Sequence, residues 1–349
     1  MKILLTCPPM INQLEKLKDV IKQYEFNIDV PEFTAVMTEE KLCKIIGNYD
    51  GWIIGDDPCT EKVIKAGKEG KLKALVKWGV GVDNVDYKAC EKYGIPVDNT
   101  PAMFGEEVSD IALNYLLTLT RETHVINSEV RKGNWYKPAG RTLTGRKVAL
   151  IGFGDIGRCV ARKCLAFNLN VFVSDPGFCY NKETSKIKCK YNDELAIPEN
   201  IQKVKICNSL QETVTNSDYI IITCSLNKHT KAMINKDVIK LANKGVIIIN
   251  VARGPIIVEN DIIELLDEGH IKSVGFDVFE KEPLLQDNKL LNYGQNIYGS
   301  HNGSNTIDAV LKTSKLALNK MDINIEIWGE IQQSVHFWEK CENDFSFNN

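Results

Sequence analysis

Residues 147–157 read Lys-Val-Ala-Leu-Ile-Gly-Phe-Gly-Asp-Ile-Gly, and this stretch decides the class of fold. Its first five residues form an apolar run of strand length, and Gly152, Gly154 and Gly157 follow in the spacing Gly-x-Gly-x-x-Gly. The glycines open a segment with helical periodicity, after which a second strand candidate leads to Asp175. A glycine loop between a strand and a helix brings backbone N–H groups to a pyrophosphate, so the stretch predicts a dinucleotide-binding βαβ unit.

Each position of the motif has a predicted task at the pyrophosphate. Gly152 allows the tight turn, Gly154 lets the backbone approach the phosphates, and Gly157 lets the helix pack closely on the strand. Asp155 and Ile156 lie at the helix N-terminus, where we expect them to contact the pyrophosphate through their backbone.

Asp175 predicts which dinucleotide binds. At the end of the second strand its carboxylate would accept hydrogen bonds from the adenosine ribose hydroxyls, and it would repel a 2′-phosphate. We therefore predict NAD rather than NADP. The alternative interpretation is a glycine turn in an unrelated α/β protein, with Asp175 as a solvated strand end.

Apolar runs of strand length alternate with helix-period segments along most of the chain. Runs such as Ile220–Ile222 and Val246–Ile249 are β-branched and apolar on both faces, which is typical of parallel strands covered by helices on both sides. We predict an α/β fold with doubly wound parallel sheets. The predicted strands are Ile3–Leu5, Gly51–Ile54, Ala74–Lys77, Lys147–Ile151, Val171–Ser174, Tyr219–Thr223, Val246–Asn250, Ser273–Asp277 and Asn296–Tyr298.

Two other segments stand out from this alternation. The stretch from Phe104 to about Lys132 reads as one long helix whose apolar residues cover more than one stripe, so we expect burial on two sides. Such a helix packs either within its own domain or also on a partner subunit. The polar stretch 181–205 interrupts the second strand series, and the period-two alternation at Lys186–Tyr191 predicts a short edge hairpin.

Composition narrows the class of protein. A chain of 349 residues suggests about two domains. The net charge of −3, with acidic and basic residues interspersed, argues against a nucleic-acid surface. The N-terminus does not resemble a signal peptide, and no apolar run has the length of a membrane span, so we expect no membrane partner. The 11 cysteines are scattered without Cys-x-x-Cys, which predicts a reducing cytoplasm and no metal site.

Three residues at predicted strand ends fit hydride chemistry on a 2-hydroxy acid. That chemistry needs a cation for the carboxylate, an acid/base for the hydroxyl proton, and a group that keeps the acid/base near neutral pH. Arg253 offers a planar fork that suits a carboxylate. A pair of Glu282 and His301 would raise the pKa of the histidine and hold its tautomer. The alternatives are a surface ion pair for Arg253 and a structural role for His301.

A glycine-rich loop in the first strand series predicts an anion site. The segment Lys77–Asp86 places Gly79 and Gly81 directly after a strand, where backbone N–H groups are exposed to an anion. Lys77 would reach a phosphate or carboxylate at the far end of a three-carbon substrate. The alternative interpretation of the loop is a tight turn.

Together these motifs resemble the D-2-hydroxyacid dehydrogenase family, and most closely its D-3-phosphoglycerate dehydrogenase branch. Their order and spacing agree with the family over most of the chain. The matching segments are Lys77–Asp86, Asn99–Pro101 with Glu106–Asp110, Gly152–Gly157 with Asp175, Asn250–Gly254, Gly275–Pro283 and Ser300–Gly303.

The resemblance implies a domain arrangement, a set of site residues and a homodimer. An NAD-binding domain, 101–298, would be inserted into a substrate domain formed by 1–100 and 299–349, and the long helix would form the dimer contact. Arg253 would bind the substrate, His301 would be the acid/base and Glu282 its partner. Further cofactor contacts are implied for Val80, Cys224, Val251, Ala252, Asp277 and Gly303, and further substrate contacts for Lys77, Val80 and Gly81.

The sequence departs from the phosphoglycerate branch where the substrate is read. Phosphoglycerate dehydrogenases commonly carry an arginine after the strand that ends here at Ile54, whereas this chain has Gly55-Asp56-Asp57, and Lys77 replaces another usual arginine. The predicted function is NAD-dependent hydride transfer on a D-2-hydroxy or 2-keto acid, with 3-phosphoglycerate of serine biosynthesis as the first candidate. The alternatives are a glyoxylate, hydroxypyruvate or other D-2-hydroxyacid reductase, and a non-catalytic NAD-sensing protein similar to a corepressor.

Overall fold

The computed structural model describes residues 1–32, 36–181, 186–190 and 197–345, with the backbone alone for 331–345. These residues form two compact units. Unit 1 comprises Met1–Met103 and Asn305–Asn349, and unit 2 comprises Phe104–Ser304.

The chain passes from unit 2 back to unit 1 between Ser304 and Asn305, whereas the prediction places this boundary after residue 298. Residues 299–304 stay with unit 2 because their backbone is bonded to the end of a unit 2 strand. Gly299 donates its N–H to the Phe276 carbonyl (2.8 Å), and His301 donates its N–H to the Asp277 carbonyl (2.7 Å).

Unit 1 begins with a parallel sheet of five strands. The strands are β1 (Lys2–Leu5), β2 (Asn27–Asp29), β3 (Gly51–Ile54), β4 (Ala74–Lys77) and β5 (Val97–Asn99), and the helices are α1 (Pro8–Ile11), α2 (Leu14–Gln23), α3 (Glu39–Ile45), α4 (Glu61–Lys68) and α5 (Tyr87–Lys92). The strand order is β2-β1-β3-β4-β5 with every pair parallel. This doubly wound order reverses between β1 and β3, and ligands of such sheets bind at the carboxyl ends of the strands.

Unit 2 contains a parallel sheet of seven strands and a separate hairpin. Its strands are β6 (Lys147–Ile151), β7 (Asn170–Ser174), β8 (Phe178–Asn181), β9 (Lys186–Cys189), β10 (Lys205–Ile206), β11 (Tyr219–Ile222), β12 (Val246–Asn250), β13 (Ile271–Phe276) and β14 (Ile297–Tyr298). Its helices are α6 (Gly105–Arg121), α7 (Thr123–Arg131), α8 (Asp155–Ala166), α9 (Leu210–Val214), α10 (Lys236–Ile239) and α11 (Glu259–Asp267). The sheet order is β10-β7-β6-β11-β12-β13-β14, so the connection reverses between β6 and β11.

The predicted single helix over 104–132 is two helices, because Glu122 lies between α6 and α7 in the left-handed conformation with φ of 54°. Helix α6 is buried as expected, and its buried apolar side chains include Val108, Leu113, Leu116 and Leu119. Helix α7 has no buried residue. The expectation of two-sided burial therefore holds for α6 and is wrong for α7 within one chain.

The predicted hairpin is present in the described residues. Strands β8 and β9 pair antiparallel, with Phe178 opposite Cys189 and Asn181 opposite Lys186. The partner strand β8 was not predicted, and the remaining parts of the polar stretch at 182–185 and 191–196 lie outside the described residues.

The chain returns to unit 1 in the long helix α12 (Ile307–Phe345). Two buried hydrogen bonds dock it on β4 and the following loop: the Asn324 side chain donates to the Leu75 carbonyl (3.2 Å), and the Trp78 indole donates to the Ser314 hydroxyl (3.1 Å). None of the described helices combines the length and the apolar character needed to cross a membrane.

Candidate active site

The glycine loop lies between β6 and α8, at the point where the order of the unit 2 sheet reverses. Gly152 has φ of 97°, and a Cβ on it would lie 2.6 Å from the Cys224 amide nitrogen, so only glycine fits. A Cβ on Gly157 would meet the Gly152 carbonyl, whereas a Cβ on Gly154 would meet nothing within 4 Å. The protein itself requires the first and third glycines, and the second leaves open space at the surface for a ligand.

The N-terminus of α8 offers hydrogen-bond donors to that space. No side chain caps this helix, and Arg158 is the residue whose N–H donates to the Gly154 carbonyl (3.0 Å). The N–H groups of Asp155, Ile156 and Gly157 precede this bond and have no acceptor within the helix. Free N–H groups and the positive end of the helix dipole suit a pyrophosphate, so these residues fit the predicted dinucleotide.

Asp175 lies directly after β7 and faces the glycine loop. One carboxylate oxygen accepts the Phe153 N–H (2.7 Å), and the other accepts the Gly177 N–H (2.7 Å). An ionised carboxylate has about four lone-pair sites, so it can accept further bonds from ribose hydroxyls. Asp175 is half-buried and therefore reachable by a ligand.

Cys224 follows β11, next to the glycine loop. Burial raises the pKa of its thiol to about 12, so the side chain is a neutral thiol at physiological pH. Its backbone, which lies against Gly152, forms the wall of the turn.

His301 and Glu282 form a hydrogen-bonded pair beyond β13 and β14. The histidine Nδ1 lies 2.8 Å from one Glu282 oxygen, and the other oxygen accepts the Phe279 N–H (2.9 Å). Burial would raise the pKa of the Glu282 carboxyl. The hydrogen bond and charge of His301, the Phe279 N–H and the charge of Arg253 outweigh burial, so this pKa lies below its ordinary value.

Asp277 holds the backbone around His301. This buried residue receives the His301 N–H on its carbonyl (2.7 Å), and its carboxylate accepts the N–H groups of Asn302 (3.2 Å) and Gly303 (2.8 Å). The Tyr115 hydroxyl of α6 donates to the same carboxylate (3.4 Å). These bonds keep His301 in the left-handed conformation, with φ of 56°.

Arg253 follows β12 in a loop that the Asn250 side chain closes. The Asn250 amide accepts the Ala252 N–H (3.0 Å) and donates to the Arg253 carbonyl (3.0 Å). The backbone of Gly254 packs on Phe279, where a Cβ would overlap the carbonyl group. This contact brings Arg253 near Glu282, in agreement with its effect on the Glu282 pKa. Val251 and Ala252 are buried in the same loop.

The remaining predicted residues lie in unit 1. Val80 and Gly81 follow β4, and the Asn99 side chain donates to the Val80 carbonyl (3.1 Å). The Lys77 ammonium is buried and donates to the Gly55 carbonyl (2.6 Å), the Trp78 carbonyl (3.2 Å) and the Asp56 carboxylate (3.2 Å). An ammonium has three donors, so the structure gives Lys77 a role in its own loop, and substrate contact by Lys77 stays a prediction.

Sequence reasoning missed two residues of the His301 support. Gly299 leaves room for the Asp277 carboxylate and the Tyr115 hydroxyl, both of which a Cβ would meet. Tyr115 gave no local signal, because it reads as one more apolar residue of a buried helix. A glycine two residues before the predicted acid/base was the available signal for Gly299.

The arrangement can bind a dinucleotide and exchange a proton along one edge of the unit 2 sheet. Because the carboxyl ends of parallel strands share an edge, the glycine loop after β6, the Arg253 loop after β12 and the Glu282 segment after β13 lie on the same edge. Glu282 binds Nδ1 of His301, so Nε2 is the ring nitrogen through which this imidazole could exchange a proton with a ligand.

Comparison with known proteins gives one consistent result. The family model described as "D-isomer specific 2-hydroxyacid dehydrogenase, NAD binding domain" matches residues 113–303. A hydroxypyruvate reductase of Thermotoga maritima is 31% identical over 278 residues, which cover 78% of this chain and 84% of that protein.

A phosphoglycerate dehydrogenase and a solved structure extend the comparison. A D-3-phosphoglycerate dehydrogenase of Methanocaldococcus jannaschii is 30% identical over 324 residues, or 91% of this chain, which spans only 57% of that longer protein. The crystal structure of the TT0316 protein of Thermus thermophilus superposes with a TM-score of 0.77 at 24% identity, covering 93% of this chain and 97% of the other. At that identity the structure supports the fold alone.

Proposed function

Because the chain belongs to the D-isomer specific 2-hydroxyacid dehydrogenase family, with NAD as its cofactor, we propose that it catalyses hydride transfer between NAD and a small D-2-hydroxy acid. One observation carries the proposal: the 2.8 Å contact between His301 and Glu282, close to Arg253, on the sheet edge that also bears the glycine loop. Bound NAD supplies or accepts the hydride at its nicotinamide ring.

His301 is proposed to move the hydroxyl proton. During reduction of a keto acid the imidazolium donates from Nε2 to the carbonyl oxygen, and during oxidation the neutral imidazole takes the proton back. Glu282 stabilises the imidazolium through Nδ1, and its lowered pKa keeps it ionised at neutral pH. Asp277 holds the histidine backbone in place for this exchange.

Arg253 is proposed to bind the substrate carboxylate and to polarise the carbonyl. Its fork of N–H donors matches a carboxylate, and its charge stabilises the alkoxide character that develops during reduction. Asn250 and the Gly254–Phe279 contact fix the loop that carries it.

The substrate within this class has two candidates. A phosphorylated three-carbon acid, 3-phosphoglycerate, follows from the sequence resemblance and from relatives such as the Methanocaldococcus jannaschii enzyme. The unit 1 loops favour a smaller, unphosphorylated acid such as hydroxypyruvate or glyoxylate. There the Lys77 ammonium is bonded to Gly55, Trp78 and Asp56, and the buried Asp57 adds a second acidic residue.

Steady-state kinetics with NADH tests the function and separates the two candidates. We expect turnover of at least one of 3-phosphohydroxypyruvate, hydroxypyruvate and glyoxylate. A site that reads phosphate prefers the phosphorylated acid in kcat/KM by about tenfold or more, because each charged hydrogen bond is worth roughly 1.5–3 kcal/mol. Lys77→Met would then remove much of that preference while sparing hydroxypyruvate.

The same assay contains the result that rejects the proposal. A protein that binds NADH but reduces none of the 2-keto acids is not a dehydrogenase of this class, and the NAD-sensing alternative then gains support. A wild-type preference for hydroxypyruvate or glyoxylate rejects only the phosphoglycerate candidate.

A further inference from the structure

The β8–β9 hairpin begins three residues after Asp175 and is bonded to it. The Gly177 N–H donates to one Asp175 oxygen (2.7 Å), while the glycine loop donates to the other through the Phe153 N–H (2.7 Å). The Phe178 N–H also donates to the Asp175 carbonyl (3.3 Å). The Asp175 carboxylate therefore links the glycine loop to the start of the hairpin, and each of its two oxygens is held by one backbone N–H group.

The second strand of the hairpin, β9, leads to a residue that binds the backbone of Gly177. Lys190, directly after β9, donates its N–H to the Gly177 carbonyl (2.7 Å), and Cys189 pairs with Phe178 across the strands. Ile187 and Cys189 of β9 are buried, so the hairpin is packed on unit 2. Gly177 is thus anchored by the hairpin rather than free in a loop.

An aromatic contact also links the glycine loop to the hairpin. The rings of Phe153 and Phe178 meet edge to face, with centroids 5.1 Å apart and planes at 88°. Both side chains are buried. The two residues whose rings meet are thus also linked to Asp175: Phe153 donates its N–H to the carboxylate, and Phe178 donates its N–H to the Asp175 carbonyl.

We propose that the β8–β9 hairpin determines the preference for NAD over NADP, with Phe178 as the positioning residue. The inference rests on the proposed contact of Asp175 with the adenosine ribose. Discrimination against a 2′-phosphate needs a repulsive charge that cannot turn away, and the Phe178–Phe153 contact prevents Asp175 from doing so. A fixed carboxylate also binds the ribose hydroxyls of NAD without losing rotamer entropy.

Titration of NADH and NADPH, followed by the fluorescence of the nicotinamide ring, tests this without any keto acid. We expect the wild type to bind NADH at least about tenfold more tightly than NADPH, a difference of roughly 1.4 kcal/mol. In Phe178→Ala the two dissociation constants move to within about threefold of each other, mainly through weaker NADH binding and better NADPH binding. At saturating NADH, kcat changes less than about twofold, since the proton chemistry is untouched.

Tyr180→Ala is the matched control. Tyr180 lies two residues further along β8 and is 53% exposed, so its removal truncates an aromatic ring of the same strand without touching Phe153. The NADH preference of this variant should equal that of the wild type. If Phe178→Ala does not fold, Phe178→Leu keeps apolar volume, loses the ring contact and shows the same shift to a smaller extent.

The outcomes separate this inference from the function proposed above. Equal wild-type affinity for NADH and NADPH rejects the Asp175 assignment and the inference with it. A discriminating wild type whose Phe178→Ala variant keeps the same ratio rejects the inference alone, even if both affinities fall together. Loss of preference in Tyr180→Ala to the same extent also rejects the role of Phe178.

Discussion

Single side chains of unit 2 carry the proposed proton chemistry. The Glu282 carboxylate binds the imidazole through Nδ1, and Asp277 accepts the backbone N–H groups of His301 and Gly303. The charge state of this pair therefore depends on a few fixed contacts, which substitutions can remove one at a time.

Replacement of His301 by alanine should lower kcat by about 10²–10⁴-fold, the usual contribution of general acid–base catalysis. NADH affinity should stay the same, because the glycine loop is unchanged. His229→Ala is the matched control: this exposed histidine lies outside the Glu282–His301 pair, and its loss should leave kcat unaltered. Near-wild-type turnover of His301→Ala would assign the proton to another group.

Glu282→Gln should change the pH profile more than the maximal rate. Keto acid reduction needs the imidazolium, which a neutral amide no longer stabilises, so the alkaline fall in kcat/KM should begin at lower pH. The wild-type carboxyl has a pKa lowered below 4.5, so its stabilising contribution is present above that value and is lost as pH falls through the lowered pKa. Glu282→Gln should therefore lose less stability on acidification in urea unfolding at successive pH values. An identical pH–rate profile in both proteins would contradict the pairing.

The β6–α8 turn is the proposed cofactor site, and alanine at its second and at its third glycine should have different effects. Gly157→Ala places a methyl group against the Gly152 carbonyl and should lower the free energy of unfolding by about 1–3 kcal/mol. The methyl group of Gly154→Ala would meet no protein atom, so the free energy of unfolding should equal that of the wild type. The same methyl group would keep the pyrophosphate from the backbone, so NADH should bind at least about tenfold more weakly. Unchanged NADH affinity in Gly154→Ala would show that the pyrophosphate does not approach this residue.

Elements with a strong local signal could be predicted from the sequence, and elements held by distant contacts could not. The apolar runs at Gly51–Ile54 and Val246–Asn250 are strands in the structure because both of their faces are covered. The break at Glu122 had no signal, since glutamate favours helices and its left-handed φ depends on the surroundings.

The candidate site shows the same division. The Glu282–His301 pair and the glycine loop follow from residue type and spacing, and the structure brings each set together. The support from Tyr115 joins residues 162 positions apart, a contact that no local pattern reports. The sequence likewise did not show that the Lys77 ammonium donates to backbone carbonyls of the protein itself, because these carbonyls belong to two neighbouring loops.

At the scale of the whole molecule, we expect a homodimer. Helix α7 has no buried residue. Val130 in its last turn is 45% exposed, and Trp135 and Tyr136 in the segment after it are 83% and 43% exposed, which leaves apolar surface that a second copy would cover. Sedimentation should give the dimer mass, and Trp135→Ser should weaken the dimer at least about tenfold. Phe167→Ser, an exposed aromatic elsewhere in unit 2, should leave the mass unchanged. A monomeric wild type at micromolar concentration would contradict the expectation.

The most direct test of the proposed reaction follows the hydride itself. Wild-type protein is incubated with a turned-over 2-keto acid of three or more carbons and with NADH that carries deuterium at both positions of the nicotinamide C4, and the product is analysed for label and chirality. We predict the D-2-hydroxy acid with deuterium at C2, formed far more slowly by His301→Ala. An L product, or a product without deuterium at C2, would contradict direct hydride transfer by a D-2-hydroxyacid dehydrogenase.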